Sequence, residues 1–256
     1  MTSLNGRVAI VSGASEGIGF ATASLLASNG AHVVICARRD APLQAAAAAI
    51  AADGGSVEAH AIDVSDADAW GGLIADVAAR CGRLDMLVNN AMAATYATIL
   101  DTDIADWRRD FAVNAEAVFI GTREAMRAML PKGGGAIVNI GSACGVRAMA
   151  GMAAYSASKA ALAHFTACAA IEGAAHAVRV NAVIPGQIAT PAALAFDAMA
   201  PEKAAAIRMA IPMQRSGTPA EVAAAVLFLL SDAASYITGA CLPVDGAKTV
   251  QLYMPA

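Results

Sequence analysis

The twenty residues from Val8 to Ala27, VAIVSGASEGIGFATASLLA, constrain the fold more than any other stretch of the chain. A β-branched run enters a loop holding Gly13, Gly17 and Gly19, and an Ala/Leu pattern of helical character follows. The local reading is strand, glycine loop, helix. Glycine permits the tight turn and lets backbone approach a pyrophosphate, whose charge suits the unpaired N–H groups at a helix N-terminus. The spacing is GxxxGxG and no Gly-Lys-Ser/Thr closes it, so a phosphate-loop nucleotidase is disfavoured.

Further along, apolar runs alternate with helical patterns, which predicts α/β architecture: a Rossmann-type doubly wound parallel sheet of about seven strands, helices on both faces. Strands are expected near 7–12, 32–36, 57–61, 84–89, 135–141, 178–183 and 241–244. The longest helices should cover Asp103–Met129 and Ala153–Glu172, and Asp40 is expected to cap the helix after the second strand. No repeat or low-complexity linker divides the 256 residues, so 1–256 reads as one domain.

Three polar residues point to alcohol or ketone chemistry. Tyr155 and Lys159 lie at i and i+4 in AYSASKAALAHF, which puts the ammonium near the phenol on one helix face. A close cation favours phenolate, and an unperturbed phenol titrates near ~10, too high for a base at neutral pH. Ser142 follows the apolar run AIVNIG, at a strand end where open α/β sheets place ligands. It lacks the Gly-x-Ser-x-Gly elbow, since Ile140 and Cys144 flank it, so a serine hydrolase is not supported.

Composition narrows the partners. The net charge is −4 and no Lys/Arg run stands out, which disfavours nucleic acid and anionic membrane. Apolar stretches fall short of the roughly 20 residues that span a bilayer. MTSLNGR leads straight into the first strand with no targeting signal, so a cytoplasmic location is expected. The five Cys and four His are scattered without metal-ligand spacing; free thiols and no metal are expected, with His164 structural.

SGASEGIG near the N-terminus, Asp63–Val64, NNA at Asn89–Ala91, Asn114, Ser142, YSASK at Tyr155–Lys159, PGQIATP at Pro185–Pro191 and the closing PVDGA together resemble a classical short-chain dehydrogenase/reductase over essentially the whole chain. The resemblance implies a ketone–secondary alcohol oxidoreductase using NADP(H) or NAD(H), with Asn114, Ser142, Tyr155 and Lys159 catalytic. Tyr155 would exchange the proton, Ser142 would hydrogen-bond the substrate oxygen, and Lys159 would also hold the nicotinamide ribose. Asn114 would hold a water linking Lys159 to solvent; the alternative is a helix-bending side chain bonded to backbone. The cofactor set implied is Gly13, Ser15, Gly17, Ile18, Gly19, Arg38, Arg39, Asp63, Val64, Asn90, Tyr155, Lys159, Pro185, Gly186, Ile188 and Thr190.

Ala37 stands where an NAD enzyme usually carries an acid, and Arg38 and Arg39 follow, which favours a 2′-phosphate and hence NADP(H). Glu16 in the glycine loop opposes this by its charge. The segment 186–213 is implied to cover the substrate and is rich in apolar residues, so an apolar ligand is expected. Met92, which replaces the Gly of the usual Asn-Asn-Ala-Gly, and Cys144, Met149, Met152 and Gln187 are its candidate lining; pocket shaping and plain packing both remain open. Family members commonly pair their long helices across subunits, which implies a homodimer or homotetramer. An NAD-dependent alcohol dehydrogenase, a 3-oxoacyl thioester reductase and a non-catalytic cofactor sensor are the rival readings.

Overall fold

Seven parallel strands hydrogen-bond in the order β3-β2-β1-β4-β5-β6-β7. They are β1 (Val8–Ser12), β2 (His32–Ala37), β3 (Ser56–Ala61), β4 (Met86–Asn89), β5 (Gly135–Ile140), β6 (Val178–Pro185) and β7 (Cys241–Val244). The computed structural model describes residues 3–251; the two ends of the expected 1–256 domain lie outside the described residues.

The sheet is buried on both sides, and the alternation of strand side chains explains how. Ala9, Val11, Val33, Ile35 and Val138 pack with α1 (Gly17–Ser28), α2 (Asp40–Ala52) and α9 (Pro219–Leu230) through Leu26, Leu43, Ile50, Val222 and Val226. The intervening Val8, Ile10, Val34, Leu87 and Ile137 face α3 (Ala67–Arg80), α5 (Ala117–Met129) and α6 (Ala153–Ala174), where Trp70, Ile74 and Ile120 meet them. Each fully buried branched or aromatic side chain stabilises by about 1.5–3 kcal/mol, so the two layers hold the sheet between them. After β3 the chain returns to the far side of β1 to form β4. The β1/β4 boundary is therefore the switch point, where strand ends open a crevice for a ligand.

Three expectations need correction. The helix expected over Asp103–Met129 is broken into α4 (Ile104–Phe111), a π-helical turn (Ala112–Glu116) and α5. The widened turn coincides with the buried Asn114, whose amide bonds outside its own helix. Asp40 is the first residue of α2 and takes a bond from Gln44; Arg39 is the N-cap residue and offers no side-chain cap. β4 starts at Met86 and not at 84, because the Asp85 side chain accepts from the Val8 N–H at 2.8 Å and from Arg83 at 2.6 and 2.8 Å.

A buried polar chain crosses the centre of the sheet. Asn89 on β4 donates to Thr122 (3.3 Å) on α5 and to Asn139 (2.9 Å) on β5, and Asn139 donates to Thr166 (3.0 Å) on α6. All four are buried, so each lost partner leaves an unsatisfied group. Thr166→Val, which keeps the shape and removes the acceptor, is expected to cost about 1–3 kcal/mol in urea unfolding at fixed protein concentration. An unchanged midpoint would show that the chain contributes nothing to stability.

Candidate active site

The glycine loop lies at the C-terminal end of β1 and leads into α1. Gly13 adopts a left-handed φ of 64°, and a Cβ there would fall 2.8 Å from the Ala91 Cα. A Cβ at Gly19 would strike the Gly13 carbonyl oxygen and the Asn90 amide. Asn90 supports the loop by donating to the Ser12 and Gly13 carbonyls, both at 2.9 Å. Glu16, the N-cap residue of α1, makes no side-chain cap, so the first-turn N–H groups remain for an anion. Across the crevice, Thr190 caps α7 (Pro191–Met199), and its Cγ2 would lie 3.2 Å from a Cβ on Gly17. Ile188 is buried and pairs with Gly217, while Gly186 packs against Asp245, where a Cβ would lie 2.8 Å from the Asp245 Cα. Pro185 ends β6. The narrow walls and uncapped N–H groups fit a dinucleotide.

The adenosine end expected from the second strand carries two charge pairs. Arg39 donates to Glu16 at 3.1 Å, and Arg38 lies 3.9 Å from Asp63. The expected repulsion by Glu16 is therefore offset within the chain. Val64 next to Asp63 is buried in the core, and Ser15 lies half-buried in the glycine loop.

Ser142, Tyr155 and Lys159 come together as expected, in a drier place than the sequence reveals. All three are buried, Ser142 at the end of β5 and the other two on α6. Ser142 also caps a short turn, accepting from the Cys144 N–H at 3.1 Å. The Lys159 ammonium donates to the Ile140 carbonyl at 2.7 Å and sits 5.9 Å from the centre of the Tyr155 ring. Burial pushes the Tyr155 phenol up to about 12, and the hydrogen bond with Ser142 opposes this only in part. Burial pushes Lys159 down to about 7. Desolvation thus acts on both groups and favours the uncharged form of each.

Asn114 satisfies both descriptions offered for it in part. Its amide accepts from the Ala93 N–H (3.0 Å) and donates to the Ala93 carbonyl (2.7 Å) and to Ser158 Oγ (3.0 Å). It does bond backbone, but that of the loop after β4 and not of its own helix. Ser158, between Tyr155 and Lys159, was not singled out by the sequence. Nor were Thr95 and Asp110, which hydrogen-bond beside it; the legible signal was Asp110 and Asn114 at i and i+4 among apolar neighbours.

On the substrate side, Met92 and Met149 are half-exposed and Cys144 partly so, its sulfur 4.0 Å from that of Met149. Gln187 is half-buried, whereas Met152 is buried at the start of α6 and bridges to Ala97, a packing role. His164 is exposed on α6. A cavity of about 470 Å³ opens instead at the opposite end of the sheet, among Arg7, Arg83, Asp85, Lys132, Arg179 and Asp232. Its Asp85 is held by Arg7, Arg83 and Val8, and Arg179 by the Leu229 and Ser231 carbonyls, so the groups answer one another. Among the described residues no helix is long and apolar enough to cross a membrane, and no His/Cys/Asp/Glu group is placed to hold a metal.

Known proteins are similar to this chain over nearly its whole length. A family model described as enoyl-(acyl carrier protein) reductase matches residues 13–248. Cyclopentanol dehydrogenase of Comamonas sp. (strain NCIMB 9872) is 38% identical over 249 residues, covering 97% of this chain and 99% of its own. Galactitol 2-dehydrogenase (L-tagatose-forming) of Cereibacter sphaeroides is 41% identical over 250 residues, covering 96% of each. A crystal structure of a candidate NAD(P) dependent gluconate 5-dehydrogenase from Beutenbergia cavernae, with NADP bound at low occupancy, superposes with a TM-score of 0.92 at 40% identity, covering 97% of this chain and 99% of that one. With a family model matched over residues 13–248 and relatives 38% and 41% identical over nearly the whole chain, the chain belongs to the classical short-chain dehydrogenase/reductase family, oxidoreductases acting on CH–OH and C=O groups.

Proposed function

We propose that the protein interconverts a secondary alcohol and its ketone on a largely apolar substrate, with NADP(H) preferred over NAD(H). The observation that carries this is the buried cluster of Ser142, Tyr155 and Lys159 beside an uncapped glycine-loop helix. Gly13, Ser15, Gly17, Ile18 and Gly19 would hold the dinucleotide's phosphates, Arg38, Arg39, Asp63 and Val64 its adenosine end, and Asn90, Pro185, Gly186, Ile188 and Thr190 the nicotinamide half. A bound nicotinamide supplies or accepts the hydride.

The chain's own groups handle the proton. With its pKa pushed up to about 12, the Tyr155 phenol is protonated at neutral pH and suits donation to a carbonyl oxygen. Ser142 Oγ hydrogen-bonds that oxygen and stabilises the charge that develops on it. In the reverse direction Tyr155 must lose its proton, and a protonated Lys159 is the cation that favours this. Asn114, bonded to Ser158 at the π-helical turn, is assigned a water that connects Lys159 with solvent. With the phenol pushed up to about 12, ketone reduction should hold its rate as pH rises through neutrality, whereas alcohol oxidation should lose the help of the Lys159 cation as that ammonium, pushed down to about 7, gives up its proton; initial rates in both directions from about pH 6 to about pH 9 check this.

The relatives span an apolar cyclic alcohol and a polyol. Met92, Cys144 and Met149 on this chain, with the exposed Leu194 and Met199 of the covering segment, favour the apolar end of that range. Exposed Ile99, Leu100, Ile104 and Ile171 support self-association as a dimer or tetramer.

The cofactor preference turns on magnitudes. Both arginines have carboxylate neighbours, which is the observation favouring NAD(H). All four side chains are well exposed, and such pairs contribute only ~0–1 kcal/mol, less than charge-assisted bonds from two guanidinium groups to a phosphate dianion. The test is absorbance at 340 nm with each cofactor against cyclopentanol, galactitol and a 3-oxoacyl thioester. Cyclopentanol oxidation that is faster with NADP⁺ supports the proposal; turnover confined to the thioester, or to galactitol, overturns the apolar-alcohol assignment. Arg38→Asp should shift the ratio of kcat/KM values toward NAD⁺ by roughly tenfold or more, and an unchanged ratio would refute the role of Arg38.

A further inference from the structure

Asp110 on α4 is fully buried, while its nearest cation, Arg109, is 48% exposed. The carboxylate is spent on a loop residue fifteen positions earlier: it accepts from the Thr95 N–H at 2.9 Å and from Thr95 Oγ1 at 3.1 Å. Arg109 completes the arrangement, donating to Thr95 Oγ1 at 2.8 Å and reaching Asp110 at 3.4 Å. Burying a carboxylate is costly, and charge-assisted bonds of this kind are what offset it.

Thr95 lies in the segment that leaves β4 next to the site. Its neighbours two residues away are anchored as well, Ala93 by Asn114 and Ala97 by the Gly151 carbonyl at 3.0 Å. Anchoring every second residue of an extended segment turns the intervening side chains to the other face. Thr95 is 8% exposed, whereas Met92 and Tyr96 are 52% and 77% exposed. Asn114 ties Ala93 to Ser158 and Ala97 bridges to Met152, so the segment is anchored on α6 to either side of Tyr155. Without the central anchor, the ends at Ala93 and Ala97 leave the middle of the segment free to bow outward.

Resting on the alcohol–ketone assignment, we infer that Asp110 is a positioning residue: through Thr95 it holds residues 92–97 as one wall of the substrate cleft and sets the Tyr96 ring at its mouth to select an apolar, cyclic substrate. A tyrosine ring suits this because it offers a broad apolar face at little entropic cost.

The test uses the full-length chain with Asp110→Asn, Thr95→Val, Thr95→Ser and Tyr96→Ala, read by amide hydrogen exchange, by NADPH fluorescence titration and by steady-state oxidation of cyclopentanol. Asp110→Asn and Thr95→Val should speed exchange at 95–97 by roughly tenfold while leaving the core strands protected. They should raise KM by about tenfold with kcat within about threefold and NADPH affinity unchanged, and Thr95→Ser should restore both readouts. Tyr96→Ala should raise KM without altering exchange. Unchanged exchange at 95–97, or a fall in kcat at constant KM, would overturn the inference. If Asp110→Asn fails to fold, Thr95→Val keeps the backbone bond to Asp110 and decides the matter by the same readouts. Absence of any alcohol turnover by the unaltered protein would defeat the functional assignment, and the exchange data would still decide whether Asp110 holds the segment.

Discussion

Asn114 is bonded at once to the loop after β4 and to the helix that bears Tyr155 and Lys159, through Ala93 and Ser158. An amide that is fully buried must find such partners or cost the fold a desolvated polar group. Here the partners lie off its own helix, and the helix widens into a π-helical turn to reach them. The register of α6 against β4 depends on this junction. So does the distance between the tyrosine that moves a proton and the crevice at the β1/β4 switch point, where the dinucleotide would lie.

Dryness then sets the electrostatics. Tyr155 and Lys159 are shifted in opposite directions by one cause, removal from water, and each shift favours the uncharged form. Burial thus keeps the proton on the phenol. Around it the bonds that position these groups are made by backbone carbonyls and a backbone N–H: the Ile140 carbonyl for Lys159, the Cys144 N–H for Ser142, the Ala93 carbonyl for Asn114. Asp110 is the buried charge nearby, and it is engaged with Thr95. At the opposite rim of the crevice the charges are exposed and exchangeable, as suits a place that must admit an anionic ligand.

The features legible in the sequence were those whose physics is local. β1 reads as a strand because it is five apolar or small residues running into glycine, and Tyr155 meets Lys159 because helical residues four apart share a face. The seven strands and their parallel arrangement follow from the same alternation of patterns, with ends displaced by a residue or two where side chains such as Asp85 intervene. What stayed hidden depended on distant partners. The run from Ile104 to Met129 has the propensity of one helix, and only the contacts of Asn114 with Ala93 and Ser158 break it. The direction of the Tyr155 shift could not be read from a lysine four residues away, because it is set by burial, which depends on the whole fold. The pairing of Glu16 with Arg39 joins residues twenty-three apart, and Asp110 with Thr95 joins residues fifteen apart.

The central claim, that a buried tyrosine exchanges the proton while the glycine loop independently holds the cofactor, is tested most directly by Tyr155→Phe, comparing single-turnover alcohol oxidation with NADPH binding by fluorescence. The account predicts loss of turnover by roughly a thousandfold or more, with NADPH affinity within about threefold of the unaltered protein. Turnover retained within about tenfold would contradict it, because the proton would then be passing through another group.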